Sequence, residues 1–451
     1  MMGNTEGAME PEEDVSTKQR RIAELARIHP EVSFTSLAYH IDLKWLHEAY
    51  QRTRKDGALG VDGRSGEDYA KELGANLRSL LERAKAGTYF APPIRRVHIP
   101  KGTSGTETRP IGIPSFEDKV LQRAVQMVLE PLYETEFLDC SYGFRPEKSA
   151  HDALEVLWRG LMEMGGGWVI DLDIRKFFDT LDHRHLREIL KSRVSDGVLL
   201  RLIDKWLNAG VLEGGAISYP ERGTPQGGVI SPLLSNIYLH TVLDRWFAEE
   251  VRPRLRGKAF LVRYADDAIL GFATKEDAER VMAVLPKRFE KYGLTIHPVK
   301  TRLIQFGKPQ ERKGETQGPP KREKFNFLGF THYWGRSRKG IWVVKRKTEG
   351  SRFTRALKKV SEWCDRNRHQ SLAVQREALG RKLKGHFAYY GITGNARSLC
   401  NFRFEVQRAW RKWLSRRSRG QPMTWERFNA LLTRYSLPPA RVLHSCYAAK
   451  L

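Results

Sequence analysis

Two adjacent carboxylates, Asp266 and Asp267, stand between two short apolar runs of the sequence. Residues 260–262 (FLV) precede the tetrapeptide 264–267 (YADD), and residues 268–272 (AILGF) follow it. This pattern predicts a β-hairpin with the aspartates at or beside its turn. Neighbouring carboxylates repel each other, and a divalent cation bound by their oxygen atoms relieves that repulsion. Oxygen ligands favour Mg²⁺ over zinc or copper. For the tetrapeptide alone, the alternative is a polar turn.

A third carboxylate is available in residues 168–174 (WVIDLDI), which have the composition of a strand. Because side chains alternate along a strand, Asp171 and Asp173 share one face with Val169, and the remaining apolar side chains face the other way. One such carboxylate and the adjacent pair predict a three-aspartate site for two Mg²⁺ ions, with Mn²⁺ as a substitute. That site would activate a 3′-hydroxyl and hold the phosphates of a nucleotide. Asp171 is interpreted as a solvated strand residue.

Positive charge dominates the composition of this 451-residue chain, with 78 Lys and Arg against 53 Asp and Glu and a net charge of +25. This imbalance indicates a polyanionic partner, most simply nucleic acid. No run of eighteen apolar residues predicts a membrane span, and the acidic N-terminus does not resemble a signal peptide. The four cysteines lie far apart without CxxC spacing, which supports neither zinc nor a disulfide framework. The length predicts two or three packed units.

Several segments have the periodicity of elements that could position the aspartates. A strand is predicted at 94–101 with a return at 108–114, and the sequence 224–228 (TPQGG) leads into a helix-like run. Asp182 is a plausible helix N-cap. The predicted helices cover residues from about 18 onward, 69–86, 116–134, 231–243 and the basic region after 351. Residues 307–322 are predicted as a surface loop, and 325–348 as strands.

The order of these motifs resembles the palm of reverse transcriptases. The matching segments are 173–179 (DIRKFFD), 225–227 (PQG), 264–267 (YADD), 293–294 (GL) with Lys300, and 327–330 (FLGF). Upstream motifs make the chain similar to bacterial group II intron-encoded reverse transcriptases, also called maturases. These motifs are 60–63 (GVDG), 99–101 (IPK), 109–114 (RPIGIP) and 141–146 (SYGFRP). The resemblance runs from about residue 18 to the C-terminus.

The resemblance implies an α/β (α+β) right-hand polymerase, in which fingers and palm are followed by an all-α thumb, or X (maturase), domain. We expect four segments along the chain. They are a disordered tail at 1–17, an N-terminal extension and fingers at 18–166, a palm at 167–335, and a thumb at 336–451.

The resemblance also assigns residues to roles. Asp173, rather than Asp171, matches the first catalytic and metal-binding carboxylate, and Asp266 and Asp267 match the other two. Phe178 matches the bulky residue that collides with a ribose 2′-hydroxyl and so favours dNTPs; its alternative is a core phenylalanine.

Three further residues match nucleotide-binding positions of the family. Lys101 and Arg109 match fingers residues that grip the triphosphate, where their charges offset negative charge. Gln226 matches the residue that contacts the nucleotide near its sugar. Lys300 lies in a later motif, and its alternative is a solvated lysine.

Basic residues interleaved with apolar ones in the C-terminal helices predict contacts with a nucleic-acid backbone. The candidates are Arg381, Lys382, Lys384, Arg408, Arg411 and Lys412. The alternative for each is a solvated helix face. Trp410 and Trp413 are expected to be core residues rather than base-stacking platforms.

Taken with the resemblance, these features predict an RNA-directed DNA polymerase of a group II intron. Its expected partners are an RNA template, intron RNA whose splicing and mobility it assists, a DNA primer or target, and dNTPs, with no membrane. The alternatives are a purely RNA-binding maturase and a host-adopted reverse transcriptase in defence or repair. The chain lacks the Cys/His cluster of an HNH endonuclease, so none is expected. We expect a bacterial cytoplasmic protein, associated with the nucleoid when bound to DNA; its oligomeric state stays open.

Overall fold

The computed structural model of the chain describes residues 14–101, 107–219, 222–223, 227–309, 323–417 and 423–445; the side chains of residues 101 and 107 lie outside that description. Within the described residues, no helix has the length and apolar character to cross a membrane. The helix predicted from residue 18 begins earlier, at Val15, inside the segment expected to be a disordered tail. Asp14 starts it by accepting a hydrogen bond from the Val15 backbone N–H.

The N-terminal region is mainly helical and carries one long β-hairpin. Its helices are α1 (Val15–Ile28), α2 (Leu43–Arg52), α3 (Gly66–Ala70), α4 (Leu73–Ala86), α5 (Phe116–Tyr133) and α6 (Ala150–Glu163). The hairpin strands, β1 (Ile94–Lys101) and β2 (Glu107–Ile113), pair antiparallel as predicted. The single helix predicted at 69–86 is two helices, α3 and α4, and Gly87 ends the second with a φ of 78°.

The middle of the chain builds the sheet that carries the candidate aspartates. The strands of this middle region are β3 (Trp168–Leu172), β4 (Val211–Glu213), β5 (Ala216–Ser218), β6 (Ala259–Tyr264), β7 (Asp267–Phe272) and β8 (Arg302–Gln305). Its helices are α7 (Phe177–Thr180), α8 (His183–Lys191), α9 (Gly197–Leu207), α10 (Ser231–Leu239), a π-helix (His240–Val251) and α11 (Lys275–Lys291). Asp182 caps α8, as predicted, by accepting hydrogen bonds from two backbone N–H groups.

Two four-stranded sheets result. One has the order β2-β1-β4-β5 and the other β6-β7-β3-β8. The second sheet separates two hydrophobic clusters, because Ile170 and Leu172 pack into one cluster and Val169 into the other. The alternation predicted for this strand is therefore confirmed. Asp171 and Asp173, which alternate with these buried residues, are partly exposed.

The C-terminal part is a three-stranded sheet followed by a helical unit. The strands are β9 (Phe325–Phe327), β10 (Phe330–Arg336) and β11 (Trp342–Thr348). The helices are α12 (Gly350–Arg366), α13 (Leu372–Tyr390), α14 (Ala396–Ser415) and α15 (Trp425–Arg434), and they share their own hydrophobic core. The boundary expected at 335/336 falls within β10, and the division into four segments stays a prediction.

Candidate active site

The adjacent aspartates lie at the tip of a β-hairpin, as the sequence predicts. Tyr264, the last residue of β6, pairs with Asp267, the first residue of β7, so that Ala265 and Asp266 form the two-residue turn. Ala265 has a φ of 56°, a left-handed conformation that costs energy for a residue with a Cβ atom. Surrounding contacts must therefore hold this turn in place.

The central strand β3 brings a third carboxylate to the hairpin. Leu172 of β3 is opposite Ala268 of β7, so Asp173, which follows, lies beside the start of β7. The side chains of Asp171, Asp173 and Asp267 line one cavity of about 780 Å³. Asp171, which was expected to be a solvated strand residue, is partly exposed and has an ion-pair partner, since its Oδ2 atom lies 3.2 Å from Nη2 of Arg302.

Desolvation and mutual repulsion disfavour the charged forms of the hairpin aspartates. Crowding by protein raises the pKa of Asp267 to about 6, although its side chain borders solvent, and the charges of Asp266 and Asp173 add to this effect. Desolvation also raises the pKa of Asp266; Arg109 opposes this and Asp173 reinforces it. Asp173 therefore lies within electrostatic range of both hairpin aspartates, and the guanidinium of Arg109 lies within range of Asp266.

The donor set suits a divalent cation. Three carboxylates offer hard oxygen ligands, and the raised pKa values of Asp266 and Asp267 show that burial and mutual repulsion disfavour the charged forms of the hairpin pair, which a bound cation would relieve. In the described part of the chain, no cluster of three or more His, Cys, Asp or Glu side chains is close enough to form a preformed metal cage. Mg²⁺ suits such an open site, because it keeps several waters and takes further ligands from substrate phosphates.

The nucleotide-binding residues predicted from the sequence are only partly described. Arg109 is exposed on β2, next to the aspartate site. Phe178, on α7, packs edge-on against Phe177 with ring centroids 5.4 Å apart. It also lines a cavity of about 380 Å³ that reaches the β1–β2 hairpin. The side chain of Lys101 and all of Gln226 lie outside the described residues.

Gly227, the next described residue, approaches the β1–β2 hairpin closely. A Cβ atom built on Gly227 would lie 2.3 Å from the carbonyl oxygen of Gly112, and the backbone has a φ of 123°. Only glycine fits both requirements. Gly227, which directly follows the predicted nucleotide-binding glutamine in the sequence, therefore packs against the backbone of β2.

The predicted nucleic-acid-binding cations of the helical unit differ in their surroundings. Arg381 and Lys384 are exposed on α13. Lys382 lies over the ring of Trp363, and Lys412 over the ring of Trp413. These four remain accessible to a phosphate backbone, although the aromatic rings fix two of them.

Two further candidates already have protein partners. Nη1 of Arg408 lies 2.9 Å from the carboxylate of Glu405. Arg411 packs 4.4 Å over the ring of Trp425 and donates a hydrogen bond of 2.8 Å to the carbonyl of Met423. The two contacts of Arg411 connect α14 to the start of α15, and its predicted contact with nucleic acid stays a prediction. Trp410 is fully buried, as expected.

The sequence did not predict the buried residues that support the β6–β7 hairpin. Arg263 lies in β6, between apolar neighbours, and is fully buried against Asp244 of the π-helix. A signal was present in the sequence, because an arginine within an apolar strand needs a buried acidic partner. The identity of that partner depends on tertiary structure and could not be read from the sequence.

Converging carboxylates on a palm-like sheet, next to a basic hairpin and a helical unit, define a template-directed polymerase of the right-hand class. Residues 99–332 match the family described as reverse transcriptase (RNA-dependent DNA polymerase). The chain belongs to the reverse transcriptase family and is an RNA-directed DNA polymerase of the group II intron-encoded type.

Three relatives illustrate the similarity. Protein YkfC of Escherichia coli K12 is 34% identical over 358 residues, which cover 72% of this chain and 90% of that protein. The group II intron-encoded protein LtrA of Lactococcus lactis is 40% identical over 191 residues, 40% of this chain and 31% of LtrA. Nuclear intron maturase 4 of Arabidopsis thaliana is 30% identical over 148 residues, 33% of this chain and 18% of that protein. The matched part thus spans about a third of LtrA.

Proposed function

We propose that this polymerase copies RNA into DNA at the site formed by Asp173, Asp266 and Asp267. The observation that supports the proposal is the strand register, which brings Asp173, directly after β3, beside the β6–β7 turn that carries Asp266 and Asp267. Their crowding raises the pKa of the hairpin pair, as expected for a site built to bind cations.

The surrounding residues suit a nucleoside triphosphate. Two Mg²⁺ ions held by the three aspartates would lower the pKa of a primer 3′-hydroxyl and neutralise charge on the triphosphate. Arg109, with Lys101 on the opposite strand of the hairpin, would hold the triphosphate and orient it toward the aspartates. Phe178 would press against C2′ of the sugar and exclude a 2′-hydroxyl, and Gln226 would contact the sugar.

The partners follow from charge and from the relatives. The net charge of +25 and the exposed cations of α13 suit the backbone of an RNA template with a DNA primer or target. The similarity to LtrA and to an intron maturase supports intron RNA as a further partner, whose splicing and mobility the protein would assist. We place this activity in the bacterial cytoplasm, at the nucleoid, where such RNA and DNA meet. We further propose that the chain divides into the N-terminal extension and fingers, palm and thumb predicted above.

Primer extension tests the polymerase. Purified protein, an RNA template, an annealed DNA primer, dNTPs and Mg²⁺ should give full-length DNA. The Asp266→Asn/Asp267→Asn protein should lose at least about 10³-fold in rate while binding the template with unchanged affinity. No extension by wild-type protein that still binds RNA tightly would instead support a purely RNA-binding maturase.

A splicing assay tests the second activity separately. Intron RNA from the gene's own locus should splice at low Mg²⁺ with wild-type protein and equally well with the Asp266→Asn/Asp267→Asn protein. Splicing depends on RNA binding, not on these carboxylates. The absence of intron RNA sequence around the gene, together with normal extension activity, would support the host-adopted reverse transcriptase.

A further inference from the structure

The guanidinium of Arg263 uses all five of its N–H donors inside the protein. Nε and Nη2 donate to the two carboxylate oxygens of Asp244, at 2.8 and 2.6 Å. Nη1 donates to Oδ1 of Asn236 at 2.9 Å and to the carbonyl of Ala265 at 3.0 Å. Nη2 also donates to Oγ of Ser141 at 2.8 Å. Arginine has five donors, so none is left unsatisfied.

One of these bonds reaches the turn that carries Asp266. Ala265 has a left-handed backbone, and its carbonyl points down onto Arg263 rather than toward solvent. A non-glycine residue keeps this conformation only where the surroundings hold it. The hydrogen bond from Arg263 is therefore placed to determine the orientation of the peptide group between Ala265 and Asp266.

The same turn is held from a second side by the loop at residues 141–146. The side-chain amide of Asn236 donates to the carbonyl of Gly143 at 2.7 Å. A Cβ atom on Gly143 would lie 2.3 Å from the backbone nitrogen of Ala265. The loop also exchanges backbone hydrogen bonds with Arg263 itself, through Cys140 and Tyr142. Arg263 thus connects the loop, α10 and the π-helix to one peptide group.

Stability alone is a weak reason for such an arrangement. Removing two charges from water costs free energy that their attraction often fails to recover, and apolar residues of similar volume frequently stabilise a core as well. Arg263 and Asp244 are both fully buried. A planar, five-donor group does something that an apolar residue cannot, because it fixes the relative positions of several acceptors.

We propose that Arg263 is a positioning residue for the polymerase reaction: by anchoring the Ala265 carbonyl to Asp244, Asn236 and Ser141, it fixes the Asp266 carboxylate where it binds a divalent cation. This inference rests on the proposed catalytic role of Asp266. It predicts that loosening the network weakens cation binding and slows catalysis without affecting the binding of nucleic acid.

The test compares Arg263→Lys with a matched variant, Arg193→Lys. Lysine retains the charge opposite Asp244 but lacks the planar fork. Arg193 is also a buried arginine with an acidic partner, Glu136, and it donates to backbone carbonyls, but it lies between α1 and α8, outside the site. Both variants should lower the unfolding temperature. Only Arg263→Lys should reduce kcat, by about 10²-fold, with an unchanged template Kd.

Direct binding of Mn²⁺, followed by electron paramagnetic resonance, provides a readout independent of extension. Arg263→Lys should weaken Mn²⁺ binding by about tenfold, as expected when the group that orients a ligand is lost. Equal kcat and equal Mn²⁺ affinity in the two lysine variants would show that the network is only structural. If wild-type protein binds Mn²⁺ but does not extend primers, the proposed function fails, and the Mn²⁺ comparison still decides the role of Arg263.

A milder variant covers the case in which Arg263→Lys does not fold. Ser141→Ala removes one acceptor and leaves the Asp244 pair intact. It should fold, lower kcat severalfold and weaken Mn²⁺ binding by a similar factor. Unchanged values of both would overturn the proposal.

Discussion

The Nζ atom of Lys300 lies 3.5 Å from Oδ2 of Asp173. Asp171, two positions earlier, has a similar partner, because Nη2 of Arg302 lies 3.2 Å from its Oδ2 atom. Asp171 of β3 and Asp173, directly after that strand, therefore face basic side chains at the start of β8. Burial raises the pKa values of both hairpin aspartates and also that of Asp171, and the hydrogen bond from Arg302 opposes the effect at Asp171. The start of β8 thus supplies positive charge to the side of the site formed by Asp171 and Asp173.

Lys300→Met should increase the affinity of the site for divalent cations. Removing a cation next to Asp173 leaves that carboxylate free to bind Mn²⁺, and for a half-exposed pair the gain is about two- to fivefold. Titration with Mn²⁺ measures the change. Lys287→Met, on the exposed face of α11, is the control and should bind like the wild type. Weaker binding in Lys300→Met would mean that Lys300 orients Asp173 instead of competing for it.

Phe178→Ala should admit ribonucleotides. Loss of the ring enlarges the cavity beside α7 and removes the group expected to collide with a 2′-hydroxyl, so rNTP incorporation relative to dNTPs should rise at least about tenfold. Single-nucleotide extension with each substrate measures the ratio. Phe177→Leu, at the buried neighbour, should lower stability and leave the ratio unchanged. No gain in Phe178→Ala would make this residue a core phenylalanine.

Gly143→Ala should impair catalysis through a steric contact. The added methyl group would lie 2.3 Å from the backbone nitrogen of Ala265, so the loop or the catalytic turn must move. A displacement of this size should reduce kcat at least about tenfold. Gly385→Ala, in α13, meets no atom within 4 Å and should be slightly stabilising, with normal activity. Normal kcat in Gly143→Ala would show that the turn tolerates movement.

Local patterns predicted much of the site. The apolar runs around YADD predicted the hairpin, and alternation in 168–174 predicted which side chains face each core. The cap at Asp182 followed from residue type alone. These features depend on neighbours within a few residues, which is why the sequence is enough to predict them.

Features that depend on distant contacts were not predicted. Arg263 meets Asp244 and Asn236, which are 19 and 27 positions away and lie on different helices. Arg411 has the residue type of a phosphate-binding group, and only the tertiary contact with Trp425 shows that it joins two helices. Residue type predicts what a side chain can do, but packing determines which partner it meets.

Asp118, on α5, should make the stability of the protein depend on pH. It is buried and accepts hydrogen bonds from the Tyr89 hydroxyl and the Trp206 indole, yet burial raises its pKa to about 6. The folded state therefore retains a proton that the unfolded state releases above about pH 4. The resulting stabilisation is complete below pH 4 and is lost as the pH rises through 6.

Urea unfolding at several pH values, with Asp118→Asn as the reference, measures this contribution. The free energy of unfolding of the wild type relative to Asp118→Asn should fall by about 3 kcal/mol between pH 4 and pH 7. Asp139→Asn, whose side chain is 98% exposed, is the control and should show no such trend. A difference that stays constant with pH would show that Asp118 is ionised throughout this range.

The basic residues of the helical unit should separate into two groups in salt-dependent RNA binding. Arg381 and Lys384 are exposed on α13, so each phosphate contact they make releases counterions. The double variant Arg381→Gln/Lys384→Gln should weaken binding and reduce the slope of log K against log salt by roughly 2, with an unchanged Tm. Arg245→Gln/Lys287→Gln, at exposed positions of the π-helix and α11, removes the same two charges outside the helical unit and is the control.

Arg411→Gln should give the opposite result. Its guanidinium joins α14 to α15 through Trp425 and the Met423 carbonyl, so the substitution should lower the Tm by a few degrees and leave the salt slope unchanged. A reduced slope at normal Tm would make Arg411 a phosphate contact, in line with its residue type. An unchanged slope in the α13 double variant would mean that the nucleic-acid backbone follows another face of the helical unit, since lost phosphate contacts always reduce the salt dependence.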